Sequence, residues 1–210
     1  MVNSFKGIKQ KAESFMVVQK SKFYNFAIPV FSKEEVNEYL TWFREKYYDA
    51  THVCYAYVVN DNGVMEKYSD DGEPSGTAGS PILKIVLEQG LSNVLVVVTR
   101  YFGGIKLGAG GLVRAYSGSC AEALKSATKV HMTDCTIAEV VVDYSLLKGL
   151  RKVLAGKVVE KDVIWEDKVR LILLFPTVSW QTISHIVTEN TLGKCVLQQK
   201  EQLLCHYEQN

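Results

Sequence analysis

Apolar positions along the chain change period several times, and each change predicts an element. Phe15 to Gln19 and Phe23 to Val30 read as two strands broken at Lys20–Ser21–Lys22, with Pro29 placing the second near a sheet edge. Ser32–Lys33–Glu34–Glu35 is a capping box, and Val36, Tyr39, Leu40, Phe43 and Tyr47 then recur at helical spacing, so a helix is expected from Lys33 to about Tyr48. These residues share one face, which reads as core rather than as a stacking platform. From His52 to Val59 the period drops to two, with Val53, Tyr55, Tyr57 and Val59 on one side and Cys54, Ala56 and Val58 on the other. Asn60–Asp61–Asn62–Gly63 supplies a turn, and Val64 to Tyr68 returns as a hairpin partner. A strand from Asn93 to Thr99 is apolar throughout Val94–Val98, which fits burial on both faces.

A helix from Gly110 to about Thr128 carries Leu112, Ala115, Tyr116, Cys120, Ala123, Leu124 and Ala127 in one stripe. The pattern restarts around Thr133–Asp134, giving expected domains of residues 1–133 and 134–210. In the second, Thr136 to Asp143, Tyr144 to Leu154, Val158 to Trp165, Val169 to Phe175, Val178 to Asn190 and Lys194 to Leu204 follow the order βαββαβ. Its charged residues Lys148, Arg151, Lys152 and Lys157 read as a solvated helix face, and His131, His185 and His206 are scattered.

Candidate chemistry concentrates in two loops. The later one, Arg100 to Arg114, holds Gly103, Gly104, Gly108, Gly110 and Gly111 beside Arg100, Lys106 and Arg114, with Tyr101 and Phe102 at its start. Glycines there permit left-handed backbone and close approach. A glycine-rich turn entering a helix presents free N–H groups and a positive dipole end to an anion. The alternative is that these glycines only let the helix pack tightly. Tyr101 and Phe102 offer stacking to an unpaired base, or one of them points into the core. The run ends Gly110–Gly111–Leu112, without the lysine and hydroxyl of a P-loop, and Val113 stands where a dinucleotide fingerprint needs its third glycine.

The earlier loop, residues 69–80, places Asp70, Asp71 and Glu73 close together, enough oxygens to begin a Mg²⁺ or Ca²⁺ site, though not at EF-hand spacing. The favoured alternative pairs Asp70 or Asp71 with Arg100 or Arg114, tying the two loops together. His52 can reach this loop as a base or ligand, but a histidine at a strand start reads first as a hydrogen-bonding structural residue. Ser75 does not sit in a Gly-x-Ser-x-Gly elbow. Ser75, Gly76 and Thr77 are better read as loop-organising or ligand-contacting, and Ser80 before Pro81 fits a helix N-cap.

Tyr68–Ser69–Asp70–Asp71–Gly72–Glu73–Pro74–Ser75–Gly76–Thr77–Ala78–Gly79, followed by Thr99–Arg100–Tyr101–Phe102–Gly103–Gly104–Ile105–Lys106–Leu107–Gly108, resembles the signature of the YigZ/IMPACT family. The resemblance covers the N-terminal two thirds directly, and the C-terminal third is similar in its order of elements. It implies an α+β chain: an N-terminal domain of the ribosomal protein S5 domain 2-like fold and a ferredoxin-like C-terminal domain, paired as domains IV and V of elongation factor G are. Eukaryotic relatives modulate translation by antagonising activation of an eIF2α kinase.

Charge narrows the reading. A formal net charge of +1 excludes a generally basic coat, so any RNA contact is local. Cys54, Cys120, Cys135, Cys195 and Cys205 contain no C-x-x-C pair and suggest reduced, mostly buried thiols. The start Met1–Val2–Asn3–Ser4–Phe5–Lys6 lacks the core of a signal peptide, and no apolar run approaches the roughly 18 to 20 residues of a span, so a cytoplasmic protein without membrane contact is expected. The expected function is non-catalytic and translation-associated, without cofactor or metal. It binds RNA, the ribosome or a translation-regulatory protein through the 69–80 and 100–114 loops. The rival is a metal-assisted hydrolase or phosphoryl-transfer enzyme using Asp70, Asp71 and Glu73 with Arg100 or Lys106.

Overall fold

In the computed structural model, which describes residues 4–60 and 63–207, period-two stretches become strands and the helical stripes become helices. In chain order these are β1 (Ser4–Ile8), β2 (Ala12–Val18), β3 (Ser21–Pro29), α1 (Lys33–Lys46), β4 (His52–Asn60), β5 (Val64–Ser69), α2 (Gly79–Glu88), β6 (Val94–Tyr101) and α3 (Gly108–Ser126). There follow β7 (Lys129–Val142), α4 (Tyr144–Leu154), β8 (Val159–Trp165), β9 (Val169–Pro176), a 3-10 turn Thr177–Ser179, α5 (Trp180–Asn190) and β10 (Val196–His206). Asp61 and Asn62 of the expected turn lie outside the described residues.

The chain divides into two units. One is residues 6–130; the other joins residues 131–207 with residues 4–5, three residues before the expected boundary and with the N-terminal strand shared out differently. The mixed α/β fold rests on antiparallel sheets in both.

In the first unit the sheet order is β2-β3-β6-β4-β5. Alternation along β6 explains why its apolar run is continuous. Val94, Val96 and Val98 face Ile82, Val86, Leu112, Tyr116 and Leu124 of α2 and α3. Leu95 and Val97 face Val36, Leu40 and Phe43 of α1. All five β6 residues are fully buried, each valine or leucine worth about 1.5–3 kcal/mol against exposure. β3 is not an edge strand, because it lies between β2 and β6. Pro29 is tolerated as its last residue, where the ladder ends at Val94. The α1 stripe is only partly core: Val36, Leu40 and Phe43 are buried, Tyr47 is half-buried and Tyr39 is exposed.

In the second unit the strands run β10-β7-β9-β8, and β1 also pairs with β7. Its core joins Ala138, Val140, Leu171, Leu173 and Phe175 of the sheet to Leu147, Leu150 and Leu154 of α4 and Ile183 and Val187 of α5.

Candidate functional site

The two loops meet through a buried ion pair that joins neither of the expected acids. Arg100 Nη1 lies 2.6 Å from Glu73 Oε1, with side chains 5% and 4% exposed. Arg100 is therefore not an external anion contact. Strand alternation turns it to the α2/α3 side of β6, beneath the loops. Its Nη2 donates to Ser21 Oγ at 3.2 Å, its guanidinium sits 5.6 Å from the ring centres of both Phe23 and Phe102, and its Nε has no partner among the described residues. Tyr116 Oη on α3 donates to the same Glu73 Oε1 at 2.7 Å. Burial first, then Cys54 and Glu73, push the Tyr116 hydroxyl far up, so it stays a donor. Burial likewise pushes the Cys54 thiol up.

Asp70 and Asp71 build the loop rather than pairing with an arginine. Asp70 Oδ1 accepts from the N–H groups of Ala78 at 3.0 Å and Gly79 at 2.9 Å, and Oδ2 from Gly76 at 2.8 Å. It thereby caps α2, which begins at Gly79 after Ala78 without a cap from its own N-cap side chain, so Ser80 is inside the helix and not its cap. Asp71 Oδ2 accepts from the Val53 N–H at 2.6 Å. His52 Nδ1 lies 2.7 Å from the Asp71 carbonyl oxygen, which fixes that nitrogen as a donor and leaves Nε2 3.8 Å from Glu73 Oε2. Thr77 Oγ1 donates to the Pro74 carbonyl at 2.6 Å. Ser75 and Gly76 remain at the surface. Among the described residues no three His, Cys, Asp or Glu side chains are arranged to hold a metal ion. Asp70 is thus engaged by backbone N–H groups and Glu73 by Arg100, while Lys106, the rival's other cation, stays exposed.

Glycine is required at two places where the segments touch. A Cβ on Gly79 would stand 2.6 Å from the Ser69 carbonyl oxygen, and one on Gly103 would stand 2.1 Å from the Lys20 carbonyl carbon. The second contact seats the 102–107 loop on the β2–β3 turn, where Ser21 Oγ also accepts from the Gly103 N–H at 3.2 Å. Gly104, Lys106, Gly108 and Gly110 are exposed, and Gly111 is half-buried against Leu107. α3 begins at Gly108, two residues earlier than expected, with no side-chain cap and no acid in its first turn. Arg114 is exposed, and its Nη1 lies 3.8 Å from the Cβ position of Gly110. Lys106 and Arg114 make no ion pair among the described residues.

Tyr101 is on the other face of β6, half-buried, donating to Asp49 Oδ1 at 2.8 Å. Burial and then Asp49 push its hydroxyl up to about 12. With Lys20, Lys22, Tyr24, Asp49 and Phe102 it lines a surface cavity of about 290 Å³. Ser21, Asp49 and Tyr116 were not legible as site residues. Their partners lie far away in sequence, and only the folded arrangement of sheet, turns and α3 brings them together.

The family described as "Impact N-terminal domain" matches residues 19–124. The chain is 35% identical over 202 residues to "IMPACT family member YvyE" of Bacillus subtilis, covering 96% of this chain and 93% of that one. It is 35% identical over 150 residues to "IMPACT family member YigZ" of Escherichia coli, covering 69% and 74%. A solved structure described as a hypothetical protein aligns with a TM-score of 0.63 at 29% identity, covering 94% of this chain and 98% of that one.

Proposed function

The chain belongs to the IMPACT family, and from that premise we propose that it is a cytoplasmic, non-catalytic regulator of translation that contacts ribosomal or other RNA through the 100–114 loop. The observation that carries this reading is the placement of Lys106 and Arg114. They bracket the uncapped start of a 19-residue helix with no acid in its first turn. A cation at a helix N-terminus opposes the dipole, and a bound phosphate would relieve both. The 69–80 loop acts indirectly in this reading, since Glu73 holds Arg100 and Arg100 carries the strand from which the cationic loop departs.

We assign the first unit to the S5 domain 2-like fold and the second to the ferredoxin-like fold. Support for the second is its βαββαβ order and its strand order β10-β7-β9-β8. Fold analogy alone does not carry function. The test is co-sedimentation with ribosomes and gel shift with ribosomal RNA. Lys106→Glu with Arg114→Glu is expected to weaken binding at least tenfold, and unchanged binding would remove this loop from the contact.

A further inference from the structure

The face of the first sheet that α1 covers is not covered completely. α1 ends at Lys46, and beyond its end β2, β3 and β6 expose a patch of unusual make-up. Alternation puts Phe15 and Val17 of β2, Lys22 and Tyr24 of β3 and Tyr101 of β6 on this one side. The register sets Phe15 opposite Tyr24, Val17 opposite Lys22 and Lys22 opposite Tyr101. Phe15 is 52% and Val17 56% exposed. The rings form a continuous series: Phe15 to Tyr24 at 4.9 Å, Tyr24 to Tyr101 at 5.8 Å and edge-on, Tyr24 to Tyr47 at 6.2 Å. At one end opens the cavity lined by Lys20, Lys22, Tyr24, Asp49, Tyr101 and Phe102.

We propose that this open end of the sheet is a stacking site for single-stranded RNA, in which Phe15, Tyr24 and Tyr101 receive unpaired bases and Lys20 and Lys22 receive their phosphates. The proposal rests on the reading of the protein as an RNA-contacting regulator and gives that contact a second surface, on the opposite side of β6 from Arg100.

Charge selects the occupant. Lys20 and Lys22 make no ion pair among the described residues, whereas the flanking acids are engaged: Glu13 by Lys11 at 2.8 Å and Asp49 by the Tyr101 hydroxyl. The patch therefore offers free cations beside ring faces, the combination a single strand uses because every base has a π-face and every nucleotide a phosphate. A duplex keeps its bases stacked on one another and cannot lay them on a sheet. Lys20 is held in place for the task. Its backbone takes a left-handed turn at φ 67° and abuts Gly103, so the turn that carries the lysines packs directly on the Phe102 loop. Asp49 keeps a second carboxylate oxygen for an amino or imino edge of the base in the cavity.

The experiment measures binding of the full chain to a fluorescein-labelled single-stranded RNA 12-mer and to the duplex of the same sequence. The single strand is expected to bind more tightly than the duplex. Phe15→Ala, and separately Lys20→Glu with Lys22→Glu, are each expected to weaken single-strand binding about tenfold, since stacking is worth about 1–3 kcal/mol per base. Both variants change exposed side chains, and unaltered urea unfolding verifies that they fold. Ultraviolet crosslinking is expected to label peptides containing Phe15, Tyr24 or Tyr101. Unchanged affinity in both variants, with binding still weakened by Lys106→Glu and Arg114→Glu, overturns this site and leaves the broader reading standing. Equal affinity for the duplex also overturns it, as does a protein ligand captured on this patch without RNA affinity. Absence of any RNA or ribosome binding in the unmodified chain overturns both.

Discussion

Arg100 and Glu73 behave as a unit because neither is solvated, with side chains only 5% and 4% exposed. Removing one partner from such a pair leaves the other charge buried and unpaired, a loss of about 3–5 kcal/mol. Arg100→Ala and Glu73→Ala are each expected to lose that much in urea unfolding, and the double variant less than their sum. Arg100→Lys is not expected to rescue, because an ammonium cannot span Glu73 Oε1 and Ser21 Oγ as the planar fork does. Thiol chemistry gives a second prediction at this scale. Cys54, Cys120 and Cys135 are buried, while Cys195 and Cys205 are half-exposed, so a thiol reagent at pH 8 is expected to titrate two of the five quickly and the rest only on unfolding. Burial pushes the Cys120 thiol from 9.0 up to about 12. The folded state thus holds this proton more tightly than the unfolded one. The stabilisation is complete below pH 9 and is lost as pH rises towards 12, so denaturant midpoints are expected to fall across that window and less so in Cys120→Ala.

Where an element begins is decided by contacts that no local pattern contains. The sequence of α2 offers Ser80 and Pro81 as a start, yet Asp70 reaches forward to the N–H groups of Gly76, Ala78 and Gly79 and starts the helix at Gly79. Asp70→Ala is expected to cost about 1.5–3 kcal/mol, measured by thermal or urea unfolding, since it strands N–H groups that a carboxylate satisfies. Gly103→Ala is expected to be at least as damaging, because its Cβ would stand 2.1 Å from the Lys20 backbone. Element type was nevertheless readable. The period of two in His52 to Val59 and the unbroken apolar run of β6 follow directly from one-sided and two-sided burial, and the stripe of α3 follows from packing on the sheet. What escaped was pairing at a distance. β1 is short and Lys-bearing, with no strong alternation, and it is a strand because β7 receives it. Glu73, rather than Asp70 or Asp71, takes Arg100, since loop geometry and not spacing sets which carboxylate points inward. Tyr39 follows the same helical stripe as Phe43, yet Phe43 is buried and Tyr39 is exposed.

At the scale of the molecule, charge decides what kind of RNA contact is possible. A formal net charge of +1 supplies no long-range attraction to a polyanion, so affinity has to come from local groups such as Lys20 with Lys22 and Lys106 with Arg114, which make no ion pair among the described residues. The 102–107 loop sits on the β2–β3 turn through Gly103, which joins the segments that carry Lys20, Lys22 and Lys106 within the residue 6–130 unit, while Arg114 lies on α3, on the opposite face of the sheet from Lys22. That unit contains all of residues 19–124, where the family match lies. Four cations neutralising four phosphates of a single strand imply a slope of about −3 in log affinity against log salt, or about a fifty-fold loss between 50 and 200 mM. Fluorescence anisotropy across that range checks it. Charge reversal of Lys20 and Lys22 is expected to flatten the slope to about −1.5, because half of the displaced counterions are no longer released. A slope of about −6 or steeper would mean that about eight or more phosphates are neutralised and that the contact is not confined to these four cations. A slope near zero would mean that phosphates are not what the cations hold. The same titration therefore separates a contact limited to these two surfaces from a diffuse basic one, by the number of phosphates each neutralises.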